Sequence, residues 1–264
     1  MGLMWCWLTC RHLRALTQLR CGNCCLTPSL CAALGALTRM RVFALDSVTD
    51  TRVLPHDWVF MRHWPDLVDL SLRDCGKFPR GSMPLLFHMH PDAQLARLSL
   101  RFACDLRAVP YKHARVIEMA RALAQHTRLA ALELSWCNVD AVAAKVLARR
   151  AFTALRQLSA LSLLHNYVDD EAAGEIARCL RGAPLARLVM PPNPNPPDHD
   201  PSSSPDDLLT AAGVEQVLAR LGDGPMPLYL KVGSAWFEAR KGEQSRLRAA
   251  APAHIVLDFD RFSS

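Results

Sequence analysis

The chain has 264 residues, half of them hydrophobic and about a fifth charged, which is enough apolar material to bury a core. Its formal net charge of +6 is modest, and its arginines are scattered instead of forming one basic run, so the composition argues against a nucleic-acid partner. No run of about 18 apolar residues occurs, which predicts a chain without a transmembrane helix, and the lack of a basic stripe argues against a membrane partner.

The N-terminal segment does not have the pattern of a targeting signal. Met1 to Leu8 is apolar but short, lacks a basic start and runs directly into Arg11 and His12. Cys6 stands where an N-myristoylation pattern requires Ser or Thr. We therefore expect a cytoplasmic protein whose ten cysteines are reduced, because a chain of this length and hydrophobicity does not need a disulfide scaffold.

A short apolar phrase recurs along the chain, with apolar residues at its first, fourth and sixth positions and mostly Cys or Asn at its ninth. Two copies at the C-terminal end match this pattern less closely. The residues at the fourth position are Leu19, Phe43, Leu70, Leu98, Leu132, Leu161, Leu188, Leu230 and Leu257. Six of the eight intervals between these positions are 24 to 29 residues, which indicates an internal repeat. Because apolar and polar residues alternate within the phrase, each copy predicts a short strand with one buried side.

The segments between the phrases have helical spacing instead. Three of them place apolar residues at i, i+3, i+4 and i+7: Val116, Met119, Ala120 and Leu123; Ala173, Ile176, Ala177 and Leu180; and Val214, Val217, Leu218 and Leu221. Asp169 and Asp170 are suited to cap the second of these helices. Units this short cannot bury their apolar stripes alone, so we expect copies to stack and close a core between a parallel sheet and a row of helices.

The clearest unit runs from Leu158 to Pro184, and on its phrase and helix the chain resembles the leucine-rich-repeat family. The period and the ninth-position Cys or Asn are similar to a mixture of the ribonuclease-inhibitor-like and cysteine-containing classes, and the resemblance covers nearly the whole chain. It implies an α/β solenoid of about eight or nine repeats, with a curved parallel sheet on the concave side and helices on the convex side, forming a single domain over residues 1–264. At the ninth position, a buried Asn would satisfy backbone groups at the turn, and a buried Cys would fill the same place.

Two longer intervals indicate insertions, one near Arg107 to His113 and one at residues 191–205. The second is rich in Pro, Ser and Asp, a composition that cannot pack a core and predicts a mobile loop. It is either an insertion without a selected role or a docking or phosphorylation segment.

The outward-pointing strand positions identify the candidate binding face. Phe102, Trp136 and His165 occupy the eighth position on consecutive repeats, about 5 Å apart. Aromatic rings there are costly to leave in water, and aromatic and Arg side chains are the usual anchors of protein interfaces. The predicted partner-binding patch comprises Arg73, Arg97, Arg101, Phe102, Glu133, Trp136, Leu164 and His165. The alternative is that a terminal loop or the long insertion covers these rings.

Motifs for chemistry are weak. Cys6, Cys10, Cys21 and Cys24 offer thiolates for zinc, but Cys21 and Cys24 already occupy core positions of the first repeat. We expect His88 and His90 to be a loop histidine pair and not a metal site, and no nucleophile, phosphate-binding or dinucleotide motif occurs. We therefore expect no catalysis, metal or cofactor.

The sequence predicts a protein-interaction scaffold that binds another protein through the concave face, and the resemblance implies two alternatives. Cysteine-containing repeats often follow an F-box in ubiquitin ligases, and Leu54 to Phe60 slightly resembles an F-box opening. Ribonuclease-inhibitor-like repeats also form Ran GTPase-activating proteins, whose usual acidic tail is not seen here. The N-terminal end, which lacks a polar capping unit, could also self-associate.

Overall fold

The computed structural model describes residues 14–48, 50–51, 55–75, 86, 89–101, 113–190, 209–222, 227–232 and 241–259. Our expectations for Phe102, for His88, for the N-terminal segment with its Cys6 and Cys10, and for the insertion at 191–205 lie outside these residues. The chain divides into two compact units, residues 1–104 and 105–264. The expectation of a single domain stays a prediction.

The first unit combines four long parallel strands with two short helices. Its elements in chain order are β1 (Gln18–Gly22), β2 (Cys25–Leu26), helix α1 (Pro28–Gly35), β3 (Val42–Asp46), β4 (Asp50–Thr51), a 3₁₀ helix (Pro55–His63), β5 (Asp69–Arg73) and β6 (Arg97–Arg101). In the main sheet the strands follow chain order, β1-β3-β5-β6, and β2 pairs with β4 in a second small sheet. The repeat anchors lie side by side, with Leu19 beside Phe43, Phe43 beside Leu70, and Leu70 beside Leu98.

Aromatic side chains fill the core of the first unit. Phe43, which is fully buried, packs 6.1 Å from Phe60 and 4.9 Å from Trp64 between ring centroids. The indole Nε1 of Trp64 donates a hydrogen bond to the carbonyl of Leu34 in α1, at 3.3 Å. Trp58 packs against Phe60 at 5.6 Å. Trp58 and Phe60 of the F-box-like stretch therefore serve as core contacts in the first unit.

The second unit repeats the strand–helix alternation more regularly. Its elements are α2 (His113–Gln125), β7 (Ala131–Ser135), α3 (Ala141–Leu147) with a π-helical continuation (Ala148–Phe152), β8 (Ala160–Ser162), α4 (Asp170–Leu180), β9 (Arg187–Met190), α5 (Ala211–Leu221), β10 (Leu228–Val232), α6 (Lys241–Ala250) and β11 (Ile255–Asp258). Strands β7 to β11 are parallel and in chain order. Their anchors form one row, with neighbours in register: Leu132, Leu161, Leu188, Leu230 and Leu257.

The predicted helical stripes are buried. The four residues of the predicted stripe are at most 1% exposed in α2 and in α4, and at most 9% exposed in α5. The helix starts are capped as well. Asp169 accepts a hydrogen bond from the Ala172 amide at 2.7 Å, and Asp140 caps α3 in the same way at 2.8 Å. Asp169 is thus the N-cap residue of α4, while Asp170 is the first residue of the helix.

These observations confirm the predicted α/β repeat fold, with parallel strands in chain order alternating with helices. Its physical basis is the one inferred from the spacing, because the strand anchors from Phe43 to Leu257 and the helical stripes are both buried. Among the described residues, no helix combines the length and hydrophobicity needed to cross a membrane.

Candidate functional site

A left-handed turn follows the strand in the described repeats, at the eighth position of the phrase. The φ angle there lies between 45° and 56° at Asn23, Ser47, Asp74, Trp136 and His165. In the first four of these residues the amide donates to the carbonyl of the seventh residue of the following repeat, at 2.9 to 3.0 Å. The turn therefore joins adjacent repeats as well as ending each strand.

The side chains at this position differ in how well they tolerate the left-handed conformation. Asn and Asp adopt it at modest cost, and Ser47 is small, but a left-handed conformation is a genuine outlier for a bulky residue such as Trp136. The left-handed conformation at this position was not predicted from the sequence. The recurring Asn, Asp and Ser in this column were the signal for it.

Trp136 and His165 form a stacked ring pair in the second unit. Their ring centroids are 4.0 Å apart and their planes differ by 23°. Both residues are half-buried. The predicted adjacency of these two rings is therefore present, and we call them the ring pair. Whether they contact a partner stays a prediction.

Asn166 braces the backbone around the ring pair. Its side chain is fully buried, and its Oδ1 accepts hydrogen bonds from the amides of Cys137, at 3.1 Å, and Val139, at 3.0 Å. Its Nδ2 donates to the carbonyls of Leu134, Leu163 and Leu164, at 2.5, 2.8 and 3.3 Å. The Leu164 carbonyl in turn accepts from the amide of Trp136. One side chain thus fixes the chain on both sides of Trp136, as expected for a ninth-position Asn.

The cysteines at the ninth position also donate hydrogen bonds to the backbone near the turn. The thiol of Cys137 donates to the carbonyl of Ser135 at 3.5 Å, and that of Cys75 to the carbonyl of Arg73 at 3.3 Å. Burial raises the pKa of Cys75 to about 12, so its thiol stays protonated. The same holds for Cys21, at the sixth position of the first repeat, whose pKa is raised to about 11. Within the described ranges, no group of three or more His, Cys, Asp or Glu side chains is placed to hold a metal ion.

The other predicted residues of the second unit flank the ring pair. Glu133 accepts a hydrogen bond from the hydroxyl of Ser135 at 3.0 Å, and Glu133 lies in register with Ser162 of the next strand. Leu164 is half-buried and directly precedes His165. Polar and apolar groups therefore surround the rings on two adjacent strands.

The three predicted arginines lie together in the first unit. Arg73 and Arg101 are in register on β5 and β6. Arg97, four residues before Arg101, contacts the carboxylate of Asp69 at 4.0 Å with a side chain that is 73% exposed. The predicted patch thus falls in two compact units, with its arginines in one and its rings in the other.

One part of the outward face is filled by the second unit's own side chains, which the sequence analysis missed. Val189, at an outward position of β9, is only 3% exposed. On the next two strands, Lys231 pairs with Asp258 at 3.2 Å, and the hydroxyl of Tyr229 donates to the same carboxylate. The Tyr and Lys alternating with the apolar residues of β10 were the available signal. The face near β9 to β11 is therefore a poorer candidate for binding than the ring pair.

No protein-family model matches the chain, and no curated protein matches it significantly.

Proposed function

We propose that this chain is a non-catalytic interaction scaffold of the leucine-rich-repeat type, and that it binds another protein through the outward face of its strands. The ring pair Trp136–His165 is the anchor of that contact. The observation that carries the proposal is the left-handed φ of 56° at Trp136, in a column where the described repeats of the first unit have Asn, Ser or Asp.

The free-energy cost of this arrangement supports a role in binding. A left-handed conformation costs a residue with a side chain about 1–2 kcal/mol, which Asn or Asp at this position would largely avoid. A stacked aromatic pair recovers about 0.5–1.5 kcal/mol beyond the apolar area that it buries, so Trp136 combines a backbone cost with a compensating ring contact. Residues held at such a cost cluster at functional sites, which motivates the inference.

The ring pair also has the properties of an interface anchor. Trp is among the residues most enriched at the energetic centres of protein interfaces. Because the five hydrogen bonds of Asn166 fix the backbone beneath the rings, little conformational entropy remains to be lost on binding. We further propose a reducing, cytoplasmic location, since a repeat core of this size does not need disulfides and burial keeps the thiols of Cys21 and Cys75 protonated.

Proximity labelling with quantitative mass spectrometry tests the proposal in cells. The variants are Trp136→Asn and His165→Asn, which remove one ring each and place a residue that tolerates the left-handed turn. The matched control is Val142→Asn, since Val142 is an exposed apolar residue on helix α3, 48% exposed and away from the strand face. We expect one or more proteins to be depleted about tenfold with both ring variants and retained with the control.

A partner found in this way is then purified, and its Kd is measured against the same three variants. The proposal fails if wild type and both ring variants label the same proteins to the same extent. It also fails if the Kd of every candidate partner is unchanged by loss of either ring.

A further inference from the structure

We infer that the outward face of the first unit binds a carboxylate-bearing segment of a partner protein, through Arg73, Arg97 and Arg101. This inference rests on the proposed function, because it gives the chemistry of a partner for the same kind of sheet face. It depends on different residues from the ring pair and can therefore be tested separately.

The backbone places the three arginines on one face of two adjacent strands. Arg73 and Arg101 are in register on adjacent strands, which puts their backbones about 5 Å apart. Arg97 lies on the same face of β6 as Arg101, because side chains alternate between faces, and is about 13 Å away along the strand. Ser71 and Ser99, also in register, lie between them and are short. An extended segment or a helix can therefore approach the sheet between the arginines.

Arginine at these positions favours carboxylate as the partner group. The planar guanidinium presents a fork of donors that matches a carboxylate bidentately, and its positive charge is retained at every physiological pH. Arg73 is exposed, Arg101 is half-buried, and Arg97, whose side chain is 73% exposed, contacts the carboxylate of Asp69 at 4.0 Å. Because Arg73 and Arg101 are in register, an acidic side chain can meet two guanidinium groups at the same level of the face.

Carboxylates on the same face argue for an acidic protein segment over a nucleic acid. Asp46 lies in register with Arg73, and Asp69 with Arg97. Asp74 follows at the end of β5 and is exposed. A nucleic acid would bring a continuous array of phosphates against all three acidic groups. A peptide can instead place its acidic side chains opposite the arginines and neutral or basic ones opposite the aspartates.

The test uses the full chain and a fluorescein-labelled peptide of about ten residues with glutamate at alternate positions, followed by anisotropy. Arg73→Gln/Arg97→Gln/Arg101→Gln is compared with Arg39→Gln/Arg62→Gln/Arg156→Gln, which removes the same charge at exposed positions outside the strands. We expect the first variant to lose roughly tenfold in affinity and the second less than about twofold. Circular dichroism checks that both variants fold.

A charge-swapped protein and peptide test the inference by a gain of binding as well as by a loss. Arg73→Glu/Arg97→Glu/Arg101→Glu should bind the same peptide with lysine in place of glutamate, which the wild type should not bind. The inference is overturned if the two glutamine variants lose affinity equally, because the peptide would then respond to net charge alone. It is also overturned if a single-stranded oligonucleotide of equal charge binds more tightly through the same arginines.

The same assay separates this inference from the proposed function. Trp136→Asn should leave peptide affinity unchanged within about twofold, since it alters no charge. If the arginine variants behave as expected but Trp136→Asn retains every cellular partner, the ring pair is not the anchor and the arginine face stands alone. If Trp136→Asn loses partners while the two glutamine variants are indistinguishable, the arginine inference is wrong.

Discussion

At the residue scale, the left-handed backbone at the eighth position of the repeat costs more free energy for some side chains than for others. All five described residues in this column have a positive φ, yet only the two of the ring pair bring large aromatic groups. Trp136 is half-buried, whereas Trp64 in the first unit is fully buried and hydrogen-bonded. The two tryptophans should therefore respond very differently to replacement.

Trp136→Asn should lower the free energy of unfolding by less than about 1.5 kcal/mol, because relief of the left-handed strain offsets part of the lost ring contacts. Trp64→Ala should cost about 3–5 kcal/mol, because it opens a cavity in a packed core. Urea unfolding followed by circular dichroism measures both. Equal losses would mean that Trp136 is a core residue, and its role as a binding anchor would be abandoned.

Asn166 should be among the positions most sensitive to substitution. Asn166→Ala leaves the amides of Cys137 and Val139 without their acceptor in a buried site, and we expect a loss of about 3–5 kcal/mol. Asn166→Cys should be milder, since Cys fills this position in other repeats. Asn23→Gly is the control, because Asn23 is exposed and Gly tolerates its positive φ; it should change stability by less than about 0.5 kcal/mol. Denaturant midpoints that rank these three variants otherwise would contradict the bracing role.

At the element scale, adjacent helices of the second unit are joined by ion pairs and by close backbone approach. Glu175 of α4 accepts from Arg149 of the π-helical segment at 2.6 Å and from Arg178 of its own helix at 2.8 Å. Between α4 and α5, the Asp170 carboxylate accepts from both the amide and the hydroxyl of Thr210, the residue that caps α5. These contacts fix the helix spacing on the side of the unit that is not proposed to bind.

The Glu175 contacts predict a defined pH dependence. Hydrogen bonds from Arg178 and Arg149 lower the pKa of Glu175 to about 2 from its usual value of 4.5. A carboxyl group whose pKa is lower in the folded state stabilises the fold above its unfolded pKa and loses that contribution as the pH falls. The stability difference between wild type and Glu175→Gln should therefore be constant above about pH 5 and disappear between about pH 4.5 and pH 2. Solvent screening should keep it below about 1 kcal/mol.

Replacement by alanine should destabilise the protein at one glycine of the second unit but not at another. A Cβ at Gly213 of α5 would lie 2.0 Å from Oδ1 of Asp170, so Gly213→Ala must displace a carboxylate that already holds Thr210. We expect it to cost about 2 kcal/mol or more despite the better helix propensity of Ala. Gly242 of α6 has nothing within 4 Å, and Gly242→Ala should be neutral or stabilise by up to about 1 kcal/mol. Thermal unfolding measures the stability of both variants. If both lose stability equally, or neither loses any, the close contact between Gly213 and Asp170 is refuted.

At the scale of the whole molecule, most of the repeat fold was predictable because burial imposes periodicity on the sequence. Anchors such as Leu132 and Leu161 could be read from the strand phrase, and Ile176 from helical spacing, since each must face the core. The division of the chain near residue 104 was not predictable, because it depends on contacts between distant residues.

The candidate site was only partly predictable. Alternation of side chains correctly placed the rings of Trp136 and His165 next to each other, because consecutive repeats bring the same column together. Alternation also placed Val189 on the outward face, but it could not reveal that Val189 is covered and that Lys231 pairs with Asp258 nearby. Coverage of a face depends on tertiary packing, which leaves no periodic signal in the sequence.

The most direct test of the proposed binding face is site-specific photo-crosslinking. A diazirine amino acid is placed at Leu164, beside the ring pair, and separately at Val142 on helix α3, and the chain is irradiated in a cell lysate. We predict that Leu164 yields a covalent adduct with a distinct protein, that Val142 does not, and that Trp136→Asn removes the adduct. Identical adducts from both positions, or an adduct at Leu164 that persists without the Trp136 ring, would contradict the account.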